Sequence, residues 1–208
     1  MSYNTSPSSS FVKQIEEVKR KILLHGIVSE FPAKIVESRL ELLKAENIIN
    51  LIPYGCVLTG SVALYLYGLI DRKPLDYDII STYKNSNVFH STTTSRILTN
   101  PYDTKDFDDL DEIIHYRIDN PLICDIDFFI KEDYEHYTSL EGLNIDNLAN
   151  IVEQKSKIGR RKDLSDLVII LDRLTNGVPD KDTQTSNKNW FHNTSEVIKN
   201  VFTNTFSR

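Results

Sequence analysis

The sequence has little cysteine and no long hydrophobic run. Its two cysteines, Cys56 and Cys124, form no C-x-x-C motif and lie in apolar surroundings. We therefore expect two reduced thiols in a core rather than a disulfide framework, as is typical of a cytoplasmic protein. No apolar segment reaches the 18 or so residues of a membrane span, so no membrane association is expected. The first ten residues also lack the basic and apolar regions of a secretory signal.

An excess of positive charge is absent too. The 24 Lys and Arg residues are outnumbered by 30 Asp and Glu residues, which gives a net charge of −6. This balance disfavours broad, sequence-independent binding to nucleic acids, which depends on clustered Lys and Arg. The sequence contains neither a GxxxxGK[ST] nor a GxGxxG motif, which argues against P-loop and Rossmann proteins. Its five histidines show no metal-ligand spacing.

The pattern of apolar residues predicts an α/β protein, with a small mixed sheet flanked by helices and a helical C-terminal part. With 40% hydrophobic and 26% charged residues, the chain can form a substantial core. Periodicity and turn residues predict helices over 11–25, 33–51, 61–69, 144–158 and 160–174, and strands over 55–60, 75–81, 113–118 and 122–130. The expected organisation is a disordered N-terminus (1–10), an α/β domain (11–140), a helical part packed on it (141–175), and a linker with a C-terminal segment (176–208).

The segment 81–105 is rich in Ser, Thr and Asn, and we predict mostly loop there, with room for one short helix. Long loops within compact domains are often functional. One interpretation is a mobile cover that helps to choose a substrate, and the alternative is a surface insertion.

A D-x-D pair follows a Gly-Ser turn by one helix length. Asp76 and Asp78 fall on one face of a predicted strand, because side chains two residues apart in a strand point the same way. Two such carboxylates repel each other, and a hard divalent cation removes that penalty. Gly60 and Ser61 begin a predicted helix, whose N–H groups and hydroxyl could hold phosphates. The pattern therefore predicts a site for a nucleoside triphosphate with Mg²⁺.

A further strand supplies a third carboxylate. The segment "LICDIDFFI" places Asp125 and Asp127 on one face and its apolar residues on the other. Spacing alone does not choose between these two aspartates. All of these carboxylates could also be solvated side chains at the edge of a sheet.

These motifs resemble those of the polymerase-beta-type nucleotidyltransferase superfamily, in particular its small bacterial and phage members such as the AbiEii-like group. "TGSVALYLYG" with "DRKPLDYDII" resembles the GS…D-x-D signature, and "KSKIGRRKDLSDL" resembles the family's basic helix segment. The likeness covers roughly residues 40–175. The family includes toxin–antitoxin and phage-defence proteins.

The resemblance implies a role for each matching residue. Asp76, Asp78 and Asp127 would be catalytic and would bind two Mg²⁺ or Mn²⁺ ions, with Asp125 as the second choice for the third ligand. The implied nucleotide-binding residues are Gly60, Ser61, Arg72, Lys155, Arg160 and Arg161. The basic helix also has an ordinary explanation, since Arg160 with Asp163 and Lys162 with Asp166 are at pairing distance on a helix.

The implied activity moves a nucleoside monophosphate from an NTP to a hydroxyl and releases pyrophosphate. The acceptor stays open among RNA or a tRNA end, a protein and a small molecule. The alternative is a catalytically inactive member of the same fold, antitoxin-like or scaffolding, that binds a nucleotide or a protein partner.

Overall fold

The computed structural model of the chain describes residues 9–24, 35–46, 48–93, 95–98, 112–118 and 124–176. The chain divides into two compact units, one made of Met1–Glu30 with Lys155–Arg208 and the other of Phe31–Gln154. Most of the predicted disordered N-terminus and the whole predicted C-terminal segment from residue 177 lie outside the described residues. No helix within the described ranges is both long enough and apolar enough to cross a membrane.

The larger unit contains a mixed sheet of seven strands. The strands are β1 Val57–Thr59, β2 Asp76–Ser81, β3 Ser95–Leu98, β4 Glu112–Ile118, β5 Cys124–Ile130, β6 Tyr137–Leu140 and β7 Leu143–Asp146. Their order across the sheet is β3-β4-β5-β2-β1-β7-β6. The pairs β2–β5 and β1–β7 are parallel, and the other four pairs are antiparallel. This topology confirms the predicted α/β class with a mixed sheet.

The described residues also form seven helices. These are α1 Ser9–Leu24, α2 Glu37–Ala45, α3 Ile48–Leu51, α4 Gly60–Leu66, α5 Tyr83–Thr92, α6 Leu148–Ile158 and α7 Arg161–Asn176. Gly159, which has a φ of +62°, separates the last two helices, as the sequence predicts. Helix α1 begins at Ser9, so the predicted disorder of residues 1–10 is wrong for Ser9 and Ser10.

One face of the sheet is an aromatic core. Phe89 of α5 packs its ring against Phe128 at 5.1 Å and against Tyr116 at 5.5 Å between centroids. Alternation along β4 and β5 sends these residues to the face opposite the aspartates. The other face of the same strands carries polar residues, among them the aspartates of β2 and β5.

In the smaller unit, α1 and α7 pack against each other. Ile15 and Ile22 of α1 are buried, and so are Leu164 and Leu167 of α7. Val168 and Ile170 of α7 are buried as well.

Residues 83–92 form helix α5, which confirms the one short helix allowed for the segment 81–105. Together with strand β3 this helix fills most of residues 81–93 and 95–98, so the prediction of mostly loop is wrong there. Thr82 caps α5 by accepting a hydrogen bond from the backbone N–H of Asn85 at 3.3 Å. Phe89 is fully buried, and the Ser86 hydroxyl bonds the Tyr116 hydroxyl at 2.9 Å in the interior. The burial of Phe89 and the hydrogen bond between Ser86 and Tyr116 stabilise a helix whose amino-acid composition is typical of a loop. Residues 99–105 lie outside the described residues.

The predicted helical part also begins later than expected. Residues 143–146, expected in the helical part (141–175) and partly in a helix, form β7, which pairs with β6 in a hairpin. Glu141 and Gly142 connect the two strands with φ angles of 51° and 78°. Positive φ at both turn residues is the geometry of a type I′ hairpin, for which a glycine is favourable.

Candidate active site

The sheet brings the four predicted aspartates into two neighbouring rows. In the parallel pair β2–β5, Asp76 lies opposite Asp125 and Asp78 lies opposite Asp127. Residues opposite each other on adjacent strands share a face of the sheet. All four carboxylates therefore lie on the face opposite the aromatic core.

The two rows continue onto the neighbouring strands. Next to Asp125 the register places Arg117 of β4, and next to Asp127 it places His115. On the other side, Thr59 of β1 lies opposite Asp78. Acidic, basic and hydroxyl groups are thus neighbours at one end of the sheet.

Gly60 is held in direct contact with the D-x-D pair. It has a φ of +59°, and a Cβ atom at this position would lie 2.1 Å from Oδ2 of Asp78. Both the left-handed backbone and the close approach of the carboxylate therefore require glycine. The group that approaches Gly60 in the structure is the side chain of Asp78.

Ser61 and Arg72 meet beside this turn. Ser61 is buried, and its hydroxyl accepts a hydrogen bond from Nη2 of Arg72 at 3.1 Å. Arg72 itself is exposed. Its guanidinium group therefore reaches from solvent to the start of α4, and any contact of Ser61 with phosphate would involve Arg72 as well.

Asp125 and Asp127 have different partners. Arg117 donates to both oxygens of Asp125, from Nε at 2.6 Å and from Nη2 at 2.7 Å, and this hydrogen-bonded pair lowers the pKa of Asp125. Asp127 is buried, and its Oδ1 contacts Nδ1 of His115. The arginine already neutralises Asp125, which favours Asp127 as the third ligand.

The spacing of the histidines in the sequence predicted no role for His115. A signal was present, because His115 and Arg117 alternate in β4 as Asp125 and Asp127 do in β5. Pairing the two strands as an antiparallel hairpin in the observed register would have predicted both acid–base pairs.

A second polar cluster adjoins the aspartate rows at Thr59. The Thr59 hydroxyl donates to Oδ2 of Asp146, and the Tyr134 hydroxyl donates to Oδ1. Asn150 of α6 donates to both oxygens at 3.0 Å. Asp146 is fully buried, and burial raises its pKa to about 6 although these hydrogen bonds lower it. Sequence spacing gave no indication of this cluster, because its members come from four separate segments.

The predicted phosphate-binding residues of the basic segment lie in the smaller unit. Lys155 is buried, with its Nζ 3.2 Å from Oδ1 of Asp163 and 2.8 Å from Oδ2 of Asp166. Arg160 donates to Asp163 from Nε at 2.8 Å, which confirms the predicted helical pair. Arg161 is exposed. Lys155 and Arg160 are thus engaged with carboxylates, and their contact with phosphate stays a prediction.

The donor chemistry of the aspartate rows fits a divalent cation. Asp76, Asp78 and Asp127 offer hard carboxylate oxygens from adjacent positions, which is the ligand type that Mg²⁺ and Mn²⁺ prefer. As the side chains stand, no three His, Cys, Asp or Glu residues in the described part of the chain form a ready metal cluster.

Both cysteines are buried free thiols, as expected from the sequence.

Comparison of the chain with protein-family models, with curated proteins and with solved structures finds no match. The likeness to nucleotidyltransferases therefore rests on the motif residues themselves, and it stays a prediction.

Proposed function

We propose that this protein is a metal-dependent nucleotidyltransferase that transfers a nucleoside monophosphate from an NTP to a hydroxyl group. The observation that carries the proposal is the placement of Asp76, Asp78 and Asp127 on one face of the sheet, with Asp78 resting on Gly60. A glycine turn and three carboxylates in this arrangement suit a triphosphate that is bound together with divalent cations.

The proposed roles follow from these positions. Asp76, Asp78 and Asp127 would hold two Mg²⁺ or Mn²⁺ ions, which when bound compensate the negative charge of the reacting phosphates. Arg72 orients the Ser61 hydroxyl and adds positive charge where the β- and γ-phosphates would lie. The family resemblance assigns to Asp127 the ion that would activate the acceptor hydroxyl.

The proposed reaction balances without any further reactant. The acceptor oxygen forms a bond to the α-phosphorus of the NTP, and the bond from that phosphorus to the β-phosphate oxygen breaks. Pyrophosphate leaves, and the proton of the hydroxyl passes to water. The acceptor class is open among RNA, a protein hydroxyl and a small molecule, and a cytoplasmic location and a role in phage defence belong to the same proposal.

A second candidate is a nucleotide-binding or protein-binding module without catalysis. It is favoured by the present engagement of Asp125 with Arg117 and of Asp127 with His115. In such a protein the pairs Arg117–Asp125 and His115–Asp127 would stabilise the sheet and would not open to bind a metal ion. Turnover in the presence of metal separates the two candidates.

The deciding experiment incubates the protein with each α-labelled NTP, Mg²⁺ or Mn²⁺, and host lysate. We expect label to enter one acceptor fraction of RNA, protein or small molecules. Asp78→Ala should reduce the transfer rate by roughly a thousandfold or more, because a group acting on charge in the transition state is lost. Asp125→Asn is the matched control and should keep most of the rate, since its carboxylate belongs to the Arg117 pair. Equal rates for the parent and Asp78→Ala would contradict the proposal.

A further inference from the structure

Asp127 is the most deeply buried of the four aspartates on the sheet face, and its partner comes from the neighbouring strand. The side chain of Asp127 is 3% exposed and that of His115 is 12% exposed. A buried carboxylate needs hydrogen bonds to offset the loss of its hydration. His115 supplies one such bond from the residue directly opposite in the β4–β5 pair.

The chemistry of the two groups fixes the direction of this hydrogen bond. A carboxylate that binds a cation is ionised and only accepts, so in the metal site Nδ1 of His115 would carry the hydrogen and donate it to Oδ1 of Asp127. Nδ1 is bonded to the first ring carbon, close to the strand backbone. The bond therefore sets the rotation of the Asp127 carboxylate relative to β4 and, with it, the direction of its second oxygen.

The neighbour on the other side of Asp127 is Asp78. Asp78 is in turn limited by Gly60, whose Cα lies against its carboxylate. Asp127 and Asp78 are therefore neighbours on adjacent strands. Each carboxylate is restrained on the side away from the other, Asp127 by His115 and Asp78 by Gly60. Carboxylates that bind metal ions are commonly restrained by such outer hydrogen bonds, and removing the restraint typically costs 10- to 100-fold in metal affinity.

We propose that His115 is a positioning residue that holds Asp127 in the orientation needed to share a divalent cation with Asp78. This inference rests on the metal site of the proposed function, and it adds a residue that the nucleotidyltransferase motifs do not contain. His115 acts through Asp127 and has no direct role in the transfer. The competing explanation is that His115 only fills space on the sheet.

Mn²⁺ binding to the full chain tests the proposal without any need for turnover. Free Mn²⁺ is measured by its electron paramagnetic resonance signal during a titration of the protein. We expect Asp78→Ala to lose binding, and His115→Leu to weaken it by about 10- to 100-fold. His90→Leu is the matched control, since His90 is exposed and stacks on Tyr116 on the opposite face. It should bind Mn²⁺ like the parent protein.

Two further variants keep the test decisive if His115→Leu does not fold. The amide nitrogen of Asn occupies the position of Nδ1, whereas that of Gln lies one bond further out, near the position of Nε2. His115→Asn should therefore restore most of the affinity and His115→Gln should not. Equal Mn²⁺ affinity in the parent, Asn and Gln variants would overturn the positioning role.

The outcomes also separate this inference from the proposed function. If Mn²⁺ binding depends on His115 but the protein transfers no nucleotide, the positioning role of His115 is supported and the nucleotidyltransferase proposal is contradicted. If the protein transfers nucleotides but its Mn²⁺ affinity is insensitive to every His115 substitution, the proposed function is supported and the positioning role of His115 is contradicted. A parent chain that binds no Mn²⁺ would overturn the role of His115 outright.

Discussion

Two aspartates of this protein are equally buried, yet their pKa values shift in opposite directions. Asp146 in the larger unit and Asp163 in the smaller unit are both 0% exposed. Burial raises the pKa of Asp146 to about 6. Burial also acts to raise the pKa of Asp163, but the hydrogen bond from Arg160 and the charge of Lys155 outweigh it, so the pKa of Asp163 is lowered.

The difference lies in the charge of the donors. Thr59, Tyr134 and Asn150 donate to Asp146, and none of them carries a positive charge. Neutral donors satisfy the geometry of a carboxylate but compensate less of its charge than a cation does. Depth of burial alone therefore does not tell whether a carboxylate stays ionised at neutral pH.

The same comparison distinguishes a structural ion cluster from a ligand site. Asp163 and Asp166 are enclosed with Lys155, so a ligand could reach them only by breaking buried ion pairs. Asp76, Asp78 and Asp125 are half-buried, and a cation could approach them from solvent. The proposed metal site on the sheet face therefore has an open side at Asp76 and Asp78, and we expect Lys155 to contribute mainly to stability.

The largest effect is expected from removing the cation of the buried cluster. Lys155→Met should lower the free energy of unfolding by roughly 3–5 kcal/mol, because two buried carboxylates lose a charged partner. Arg161→Ala is the control, since Arg161 is exposed, and it should change stability by less than about 0.5 kcal/mol. Chemical denaturation measures both. If Lys155→Met keeps its stability but loses NTP binding, Lys155 is a phosphate-binding residue, as the family resemblance implies.

A smaller effect should appear as a pH dependence that is specific to Asp146. Its pKa of about 6 in the folded protein exceeds the value of about 3.9 in an unfolded chain. A raised folded pKa gives stability that is fully present below the unfolded pKa and is lost as pH rises through the folded pKa. Relative to Asp146→Asn, which does not titrate, the parent should lose roughly 2 kcal/mol between pH 4 and pH 7.

Urea denaturation of both proteins at each pH checks this expectation. Asp163 contributes in the opposite sense, because its lowered pKa gives stability that is lost as pH falls. Subtracting the Asp146→Asn profile removes this contribution, since both proteins contain Asp163. Parallel profiles for the two proteins would show that folding does not raise the pKa of Asp146.

The sequence predicted the sheet-face aspartates well because strand alternation is a local property. Asp76 with Asp78 and Asp125 with Asp127 could be assigned to one face each from spacing alone. That the two pairs are in register depends on which strands are neighbours, and this is set by packing of the whole sheet. The partners His115 and Arg117 were missed for that reason.

Composition misled the prediction where a few buried residues decide the structure. The segment 83–98 contains little apolar sequence, but Phe89 enters the aromatic core and Thr82 caps the helix. The Asp146 cluster was not predicted, since Thr59 lies 87 residues away along the chain and meets Asp146 only through the pairing of β1 with β7. Tertiary burial in these places outweighs local propensity.

The smallest effect tests whether the neutral donors of Asp146 matter individually. Thr59→Val keeps the shape of the side chain and removes the hydroxyl that donates to Oδ2 of Asp146. Leaving a buried acceptor without its donor should lower the free energy of unfolding by about 1–3 kcal/mol. The hydroxyl of Thr59 lowers the pKa of Asp146, so its loss should raise that pKa further. The destabilisation should therefore be larger at pH 8, where the carboxylate is ionised, than at pH 4, where it is protonated. Thr92→Val on the exposed side of α5 should stay within about 0.5 kcal/mol at both pH values. A Thr59→Val penalty that is the same at pH 4 and pH 8 would mean that the hydroxyl serves packing of β1 rather than the charge of Asp146.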